Sequence, residues 1–329
     1  MPTAARVRSN TTRQAPVLSV VIVSWNAKDY LVRCIQSVVD QLATTSAEII
    51  VVDNGSSDGS TDVIKERFPE VVVIENDSNR GFAQANNIGI LRSSGRYLAF
   101  INSDVLLRPY CINALCDYME KHVNVGMSGP KVLNSDLTIQ ASYRAFPTLA
   151  SMMSRALALD RLKLIAGTGS SGLRPGYVGP GREVDIISGC FWIVRRKALE
   201  DVGPMDEAFF MYAEDKDWCL RFWRAGWKVV YLPEAEAIHF GGRSSGREPV
   251  RFYVEMHRAN LRYWAKHYGW LSNVMAVVIM FLHQVVRIAA CLVAFPFVSR
   301  GRSRVREVIR RSVACARFLL GGEWHLNAK

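Results

Sequence analysis

Apolar residues follow two rhythms along the first 121 positions: short continuous runs closed by turn formers, and stretches where they recur every three or four residues. Residues 18–24, rich in Val and Ile, predict a first strand that Trp25-Asn26 closes. Tyr30, Leu31, Cys34, Ile35, Val38 and Val39 then fall at helical spacing. A second strand is expected over 48–53. It runs into the turn cluster Asn54-Gly55-Ser56-Ser57-Asp58-Gly59-Ser60, which ends in a good N-cap for the next helix. Residues 71–74 predict a third strand, 81–93 a helix, and 97–101 a fourth strand. Strands alternating with helices over short connections build βαβ units, hence a mainly parallel sheet flanked by helices on both faces.

Beyond residue 121 the texture changes. The breaker-rich run at 167–176 reads as a flexible loop or insertion, and 184–194 as one or two strands interrupted at Ser188-Gly189. A helix is expected over 214–225, stopped by Gly226, followed by two short strands at 228–232 and 235–239. Residues 270–298 are long and apolar enough to span a bilayer, for which about 20 residues suffice. His283, Gln284 and Arg287 stand at the middle, and a central Arg costs at least ~2.5 kcal/mol on insertion. That favours an interfacial helix or helical hairpin in the headgroup region over a simple span, with a buried core helix as the plain alternative.

Composition sharpens the partners. The 329 residues carry a formal net charge of +11. The excess sits at the ends: Arg6, Arg8 and Arg13 before any acidic residue, and Arg300, Arg302, Arg304, Arg306, Arg310, Arg311 and Arg317 after the apolar stretch. Basic clusters beside an apolar helix suit an anionic membrane surface, not nucleic acid. The expected organisation is a disordered basic tail (1–16), a catalytic α/β domain (17–245) and a helical, membrane-associating region (246–329). Seven cysteines without a Cys-x-x-Cys pair argue against a disulfide framework or a zinc site and fit a reducing cytosol. The polar N-terminus shows no secretory h-region.

Candidate chemistry gathers where strands end. Asn102-Ser103-Asp104 closes the fourth strand, so Asp104 faces the crevice in which open α/β sheets hold ligands. A carboxylate there suits Mg²⁺ or Mn²⁺ on a diphosphate, although the tripeptide is also ordinary turn chemistry. Asp53 ends the second strand at the same edge, where an acidic residue can accept from a base or a ribose. Arg80 and the small residues Gly81, Ala83, Ala85 and Gly89 open a helix closely against something, with its positive end available to phosphate or sugar. Phe209-Phe210-Met211-Tyr212-Ala213-Glu214-Asp215 sets two carboxylates behind an aromatic wall, an arrangement suited to a general base. The plain reading is favourable charge in a first helical turn. His239 ends a strand beside Gly241-Gly242, as a metal ligand or as a structural histidine.

Taken in order, Asp53-Asn54-Gly55-Ser56-x-Asp58-Gly59, Asn79-x-Gly81-x-Ala83-x-Ala85-Asn86, Asn102-x-Asp104, Glu214-Asp215-x-Asp217 and His239-x-x-Gly242 resemble glycosyltransferase family 2 over residues 17–245. The nearest likeness is to its bacterial rhamnosyltransferase-like branch. The resemblance implies a GT-A fold and an inverting, metal-dependent transferase. It moves a sugar, rhamnose by this likeness, from a dTDP- or UDP-linked donor to a lipid-linked or polysaccharide acceptor in cell-envelope glycan synthesis, on the cytoplasmic face of the inner membrane. It further implies that Asp53 contacts the base, that Asn102 lies near ribose or sugar, and that Asp104 and His239 hold the metal. Asp215 is then the general base, with Glu214 beside it. Ser24, Asn26, Asn54, Ser56, Asp58, Arg80, Gly81, Ala83 and Asn86 complete the expected donor site, and Gly189, Trp192 and Tyr212 the acceptor site. One departure stands out: many relatives carry Asp-x-Asp where this chain has Asn102-x-Asp104, leaving one carboxylate. The competing classes are a nucleotidyltransferase, which would normally have a phosphate loop that Val23-Ser24-Trp25-Asn26-Ala27 lacks, and a non-catalytic membrane-bound scaffold with a degenerate sugar-nucleotide site.

Overall fold

The computed structural model describes residues 17–42, 46–159, 181–241, 248–297 and 301–321. The first half runs β1 (Leu18–Ser24), α1 (Lys28–Val39), β2 (Ala47–Asp53), α2 (Ser60–Arg67), β3 (Val72–Glu75), α3 (Phe82–Arg92), β4 (Tyr97–Asn102), β5 (Val105–Leu107), α4 (Cys111–Lys121) and β6 (Val125–Leu133). Next come β7 (Ile139–Gln140), β8 (Tyr143–Arg144), α5 (Leu149–Ala156), β9 (Arg182–Glu183), β10 (Ile186–Ile187), β11 (Phe191–Arg195), α6 (Arg196–Val202), α7 (Glu214–Arg224) and β12 (Lys228–His239). The chain closes with α8 (Pro249–Ala294) and α9 (Arg302–Leu319). The tail at 1–16, the loop at 167–176 and Gly242 lie outside the described residues.

The main sheet has the order β3-β2-β1-β4-β11-β6-β12-β5. Strands β3, β2, β1 and β4 are parallel, so they end together, while β11 runs antiparallel between β4 and β6. The continuous apolar runs follow from burial on both faces. Val20, Ile22, Tyr97, Ala99 and Ile101 pack with α1 and α4, whereas Val21, Leu98 and Phe100 pack on the other side with Trp192, Trp218 and Phe222.

Several expected boundaries move. The segment at 184–194 forms two strands, β10 and β11, parted at Ser188-Gly189-Cys190. The two short strands expected at 228–232 and 235–239 are one strand, β12, whose pairing with β6 shifts register between Leu232 and Glu236. Pro233 falls in that shift, where its missing N–H breaks the ladder. Gly226 ends α7 with φ +84, as a C′ glycine does.

The C-terminal region differs most. The helix begins at Pro249, well before the apolar stretch, and breaks at Gly269 (φ 80, ψ 177). Two arms, 249–268 and 270–294, fold back on each other there. The Tyr253 hydroxyl donates to Gln284 Oε1 (2.9 Å), and Arg287 Nη1 donates to the Tyr253 hydroxyl (3.0 Å). The polar centre of the apolar arm is thus satisfied by its own partner arm. Away from that contact, Val274, Met275, Val278, Val285, Leu292 and Val293 are exposed. Only 22% of the most apolar window is buried, unlike the core helix of a soluble domain, and the helix is long and apolar enough to cross a membrane. Helix α9 returns onto the first arm through Val254, Ala314 and Cys315.

Asp217 ties this hairpin to the sheet. From α7 it meets His267 Nε2 (2.7 Å) and Lys266 Nζ (2.7 Å) on the first arm, and Arg221 Nε (2.9 Å) on its own helix. Burial alone would raise its carboxyl, but hydrogen bonds from His267 and Lys266 and the charge of Arg221 outweigh it and hold the pKa at about 2, down from 3.8. A carboxyl depressed on folding stabilises above its unfolded pKa and loses that contribution as pH falls toward the folded value. Asp217→Asn, which takes the buried carboxylate away from Arg221 and leaves Lys266 with Asp206 alone, is expected to lower unfolding stability at pH 7 by about 3–5 kcal/mol. In denaturant titrations the gap between variant and wild type should narrow as pH falls from 4 toward 2; a gap constant with pH would contradict the ion-pair account.

Candidate active site

The parallel ends of β1, β2 and β4 bring three predicted residues into line, with Ser24 paired to Asp53 and Val23 to Asn102. After Asp53 the chain turns through a loop that holds itself together. Ser56 donates to both Asp53 oxygens, from its backbone N–H (2.7 Å) and its hydroxyl (2.6 Å), and its Oγ accepts from Asn26 N–H (2.8 Å). Asn26 Oδ1 accepts from Ser57 N–H (2.8 Å), and Asp58 Oδ2 from Lys28 N–H (2.9 Å). Asn26, Asp53, Ser56 and Asp58 therefore shape the rim through one another. Asn54 reaches inward, donating to the Gly81 carbonyl (3.1 Å).

Together these elements border a crevice of about 200 Å³ lined by Trp25, Asn54, Gly81, Asn102, Asp104, Phe210, Tyr212, His239 and Phe252, among others. The close approach anticipated at Gly81 is real and its partner is Phe210: Phe82 N–H donates to the Phe210 carbonyl (2.7 Å). A β-carbon at Gly81 would lie 2.4 Å from that oxygen, and φ is +85. Arg80 is exposed beside this turn.

Three predicted contacts are corrected. Ala83 is fully buried and Asn86 is 1% exposed, its side-chain amide donating to the Phe82 carbonyl (2.9 Å); both pack α3 onto the sheet instead of facing a donor. Trp192 is fully buried, edge-on to Phe82, Phe100 and Trp218, and its indole N–H donates to the Ile187 carbonyl (3.3 Å). Alternation along β11 sends that ring into the core, so no acceptor reaches it. Gly189 lies instead beside Asp215, since a β-carbon there would sit 3.6 Å from that of Asp215.

At the floor of the crevice His239 Nε2 stands 3.3 Å from Asp104 Oδ1, both side chains largely buried. The ring is oriented from behind by Gln140, whose Oε1 lies 2.8 Å from His239 Nδ1 while its amide donates to Asn134 Oδ1 (2.8 Å). Held at Nδ1 by Gln140, the ring presents Nε2 to a carboxylate oxygen. A nitrogen and a carboxylate oxygen at that separation suit adjacent ligands of one small divalent cation, for which an octahedral edge is roughly 3 Å. Asn102 Oδ1, buried without a hydrogen-bond partner among the described residues, adds an acceptor on the same wall. The donor set fits a hard cation. Among the described residues no third His, Cys, Asp or Glu joins them, so a diphosphate and water would complete its shell.

The other predicted pair lies past Tyr212, which lines the crevice. Tyr212 and Ala213 adopt left-handed φ (69 and 65) and swing the chain into α7, placing Glu214 and Asp215 in its buried first turn. Asp215 is ion-paired with Arg144 and accepts from Lys216 N–H (2.7 Å). Burial first, and then the charge of Asp215, push the Glu214 carboxyl up; its Oε2 has no partner among the described residues. Gln140, Arg144, Trp25, Phe210 and Phe252 escaped sequence reasoning. Gln140 and Arg144 sit on two-residue strands without periodicity; only the aromatic run at 209–212 hinted at Phe210.

A mainly parallel sheet with these ends and helices on both sides defines an α/β fold of the GT-A type. The glycosyl transferase family 2 model matches residues 19–203, and the chain belongs to that family of glycosyltransferases. It is 31% identical over 270 residues, 77% of this chain and 86% of the relative, to an N-acetylglucosaminyl-diphospho-decaprenol L-rhamnosyltransferase of Mycobacterium tuberculosis (strain ATCC 25618 / H37Rv). It is 26% identical over 281 residues, 82% and 87% of the two chains, to the dTDP-rhamnosyl transferase RfbF of Shigella flexneri. Among solved structures, the mannosyltransferase PcManGT from Pyrobaculum calidifontis, in complex with GDP-Man and Mn²⁺, shares the fold with a TM-score of 0.55 at 13% identity, covering 94% of this chain and 89% of that one.

Gly81→Ala tests the crevice wall. Left-handed strain of about 1–3 kcal/mol plus a backbone clash should lower the thermal midpoint by several degrees and weaken nucleotide-sugar binding. Wild-type stability with wild-type donor affinity would show that the Phe210 contact does not form.

Proposed function

We propose that the chain is an inverting, metal-dependent rhamnosyltransferase. It takes the sugar from a dTDP- or UDP-linked donor and passes it to a lipid-diphosphate-linked glycan at the cytoplasmic face of the membrane. The observation that carries the donor half is the Asp104–His239 pair at the floor of the crevice. The sugar and the acceptor are supported by the names of the two rhamnosyl-transferring relatives. The exposed apolar side of the second hairpin arm, with exposed Arg304, Arg306 and Arg310 on α9, supports attachment to an anionic membrane, each cation adding about 1 kcal/mol near such a surface.

In a single displacement the acceptor hydroxyl attacks the anomeric carbon as the bond to the donor diphosphate breaks, and its proton must leave with the attack. Glu214 and Asp215 divide the work by environment. Glu214, with its carboxyl pushed up by burial and by its neighbour's charge, is more readily protonated and so less available to accept the hydroxyl proton. Asp215, ion-paired with Arg144, takes the hydroxyl proton. Asn102 and Asn54 orient the donor along the crevice wall. A divalent cation held by Asp104 and His239 supplies charge neutralisation for the departing nucleoside diphosphate.

Asp215→Asn should lower kcat by roughly 10²–10⁴-fold while donor affinity measured by titration calorimetry stays near wild type. Near-normal turnover would remove Asp215 from the role. For His239→Ala, the Mn²⁺ concentration giving half-maximal donor binding should rise at least about tenfold, and an unchanged metal titration would contradict the ligand assignment.

A further inference from the structure

We infer that a second cavity, between α5 and the helical hairpin, holds the diphosphate and the first isoprene units of a lipid-linked acceptor. Resting on the reading of the chain as a transferase to a lipid-linked glycan, this placement adds where that substrate's diphosphate lies. The cavity measures about 630 Å³, within the range of small-molecule sites. Arg144, Arg155, Lys216 and Arg287 line it, and among the described residues no Asp or Glu does. Arg144 has its counter-ion in Asp215. Lys216 is bonded to Asn260 and stacked over Tyr263, and Arg287 donates to Tyr253. Neither of these side chains, nor that of Arg155, has a carboxylate within ion-pair distance among the described residues. So many cations around one space, of which Arg155 and Arg287 have no carboxylate partner among the described residues, define a site for a multiply charged anion, and guanidinium forks match phosphate oxygens in pairs.

A free phosphate or nucleotide would account for the cations but not for the rest of the wall. Met256, Trp264 and Met280 line the same cavity, and Met280 stands on the apolar arm with Arg287 two turns further on. The opposite side of that arm is the exposed apolar face of Val274, Met275, Val278 and Val285. An anion site walled by a helix of this kind suits an anion carrying a hydrocarbon chain. The location also fits the chemistry. Arg144 pairs with Asp215 and Lys216 follows it in sequence, so a sugar linked to a diphosphate in this cavity lies next to the proposed base. The diphosphate itself is bound and not cleaved.

The test uses the full-length protein in detergent, with Mn²⁺ and nucleoside diphosphate saturating the donor crevice, and titrates farnesyl diphosphate, farnesol and inorganic pyrophosphate. Farnesyl diphosphate should bind, and Arg155→Gln should weaken it at least about tenfold, as loss of one charged hydrogen-bonding group does. Arg155 is exposed and its side chain has no hydrogen-bond or ion-pair partner among the described residues, so this variant should keep its fold; unchanged donor binding confirms that, and Arg287→Gln gives a second reading. Farnesol and pyrophosphate should each bind at least about tenfold more weakly than farnesyl diphosphate. Pyrophosphate binding as tightly would make this a site for a free anion, and farnesol binding as tightly would make it merely apolar; either overturns the proposal. A wild-type enzyme that uses a polyprenyl-diphosphate sugar, with Arg155→Gln leaving its KM unchanged, overturns the cavity assignment alone. A wild-type enzyme that glycosylates only lipid-free acceptors overturns the functional reading itself.

Discussion

The site depends on one short ladder. Strand β5 leaves β4 after a two-residue turn and pairs antiparallel with the end of β12, setting Val105 opposite His239. The bond from Phe240 N–H to the Asp104 carbonyl (3.0 Å) closes that junction. Two residues far apart in sequence are thereby fixed as neighbours, and Gln140 joins them because β7 extends the same sheet through β6. A slip of one residue in this pairing would turn the imidazole to the opposite face and dissolve the pair. Backbone register, more than any side-chain attraction, puts the Asp104 carboxylate and the His239 imidazole, the proposed metal ligands, on one crevice floor.

From that floor the crevice wall leads directly to the acceptor side. Phe210 holds the α3 turn at Gly81, Tyr212 and Ala213 accept left-handed backbone, and α7 then starts with Glu214 and Asp215. Two non-glycine residues in that region store strain of the order of 1–3 kcal/mol each, retained where the surroundings over-determine the backbone. The same helix anchors the hairpin through Asp217, two residues beyond the proposed base. The proposed base and the residue that anchors the hairpin thus stand in one turn of helix, and under the proposed function a lipid-borne acceptor presented by the hairpin would need no further hinge to reach the base.

Much of this was legible in the sequence because it is local. Buried parallel strands announce themselves as continuous apolar runs, and residues at strand ends such as Asp104 and His239 stand out by position. Side-chain direction was less legible. Trp192 beside Gly189 looks like a stacking surface for a sugar, yet the pleat of β11 sends it into the core; Ala83 and Asn86 sit in a motif but on the buried side of α3. Gln140 and Arg144 were invisible because two-residue strands carry no pattern, and their partners come from distant chain. Arg287 looked like an insertion penalty. Its hydroxyl partner, Tyr253, lies on the other arm of a hairpin whose turn, Gly269, precedes the apolar stretch.

The central claim, that Asp104 and His239 together hold a divalent cation on the donor diphosphate, is tested most directly by pulsed electron paramagnetic resonance of Mn²⁺. The spectrum should be recorded on the wild-type protein with nucleoside diphosphate. ¹⁴N modulation from one imidazole should appear together with ³¹P coupling from the diphosphate in the same complex. Phosphorus coupling without any histidine nitrogen would contradict the claim.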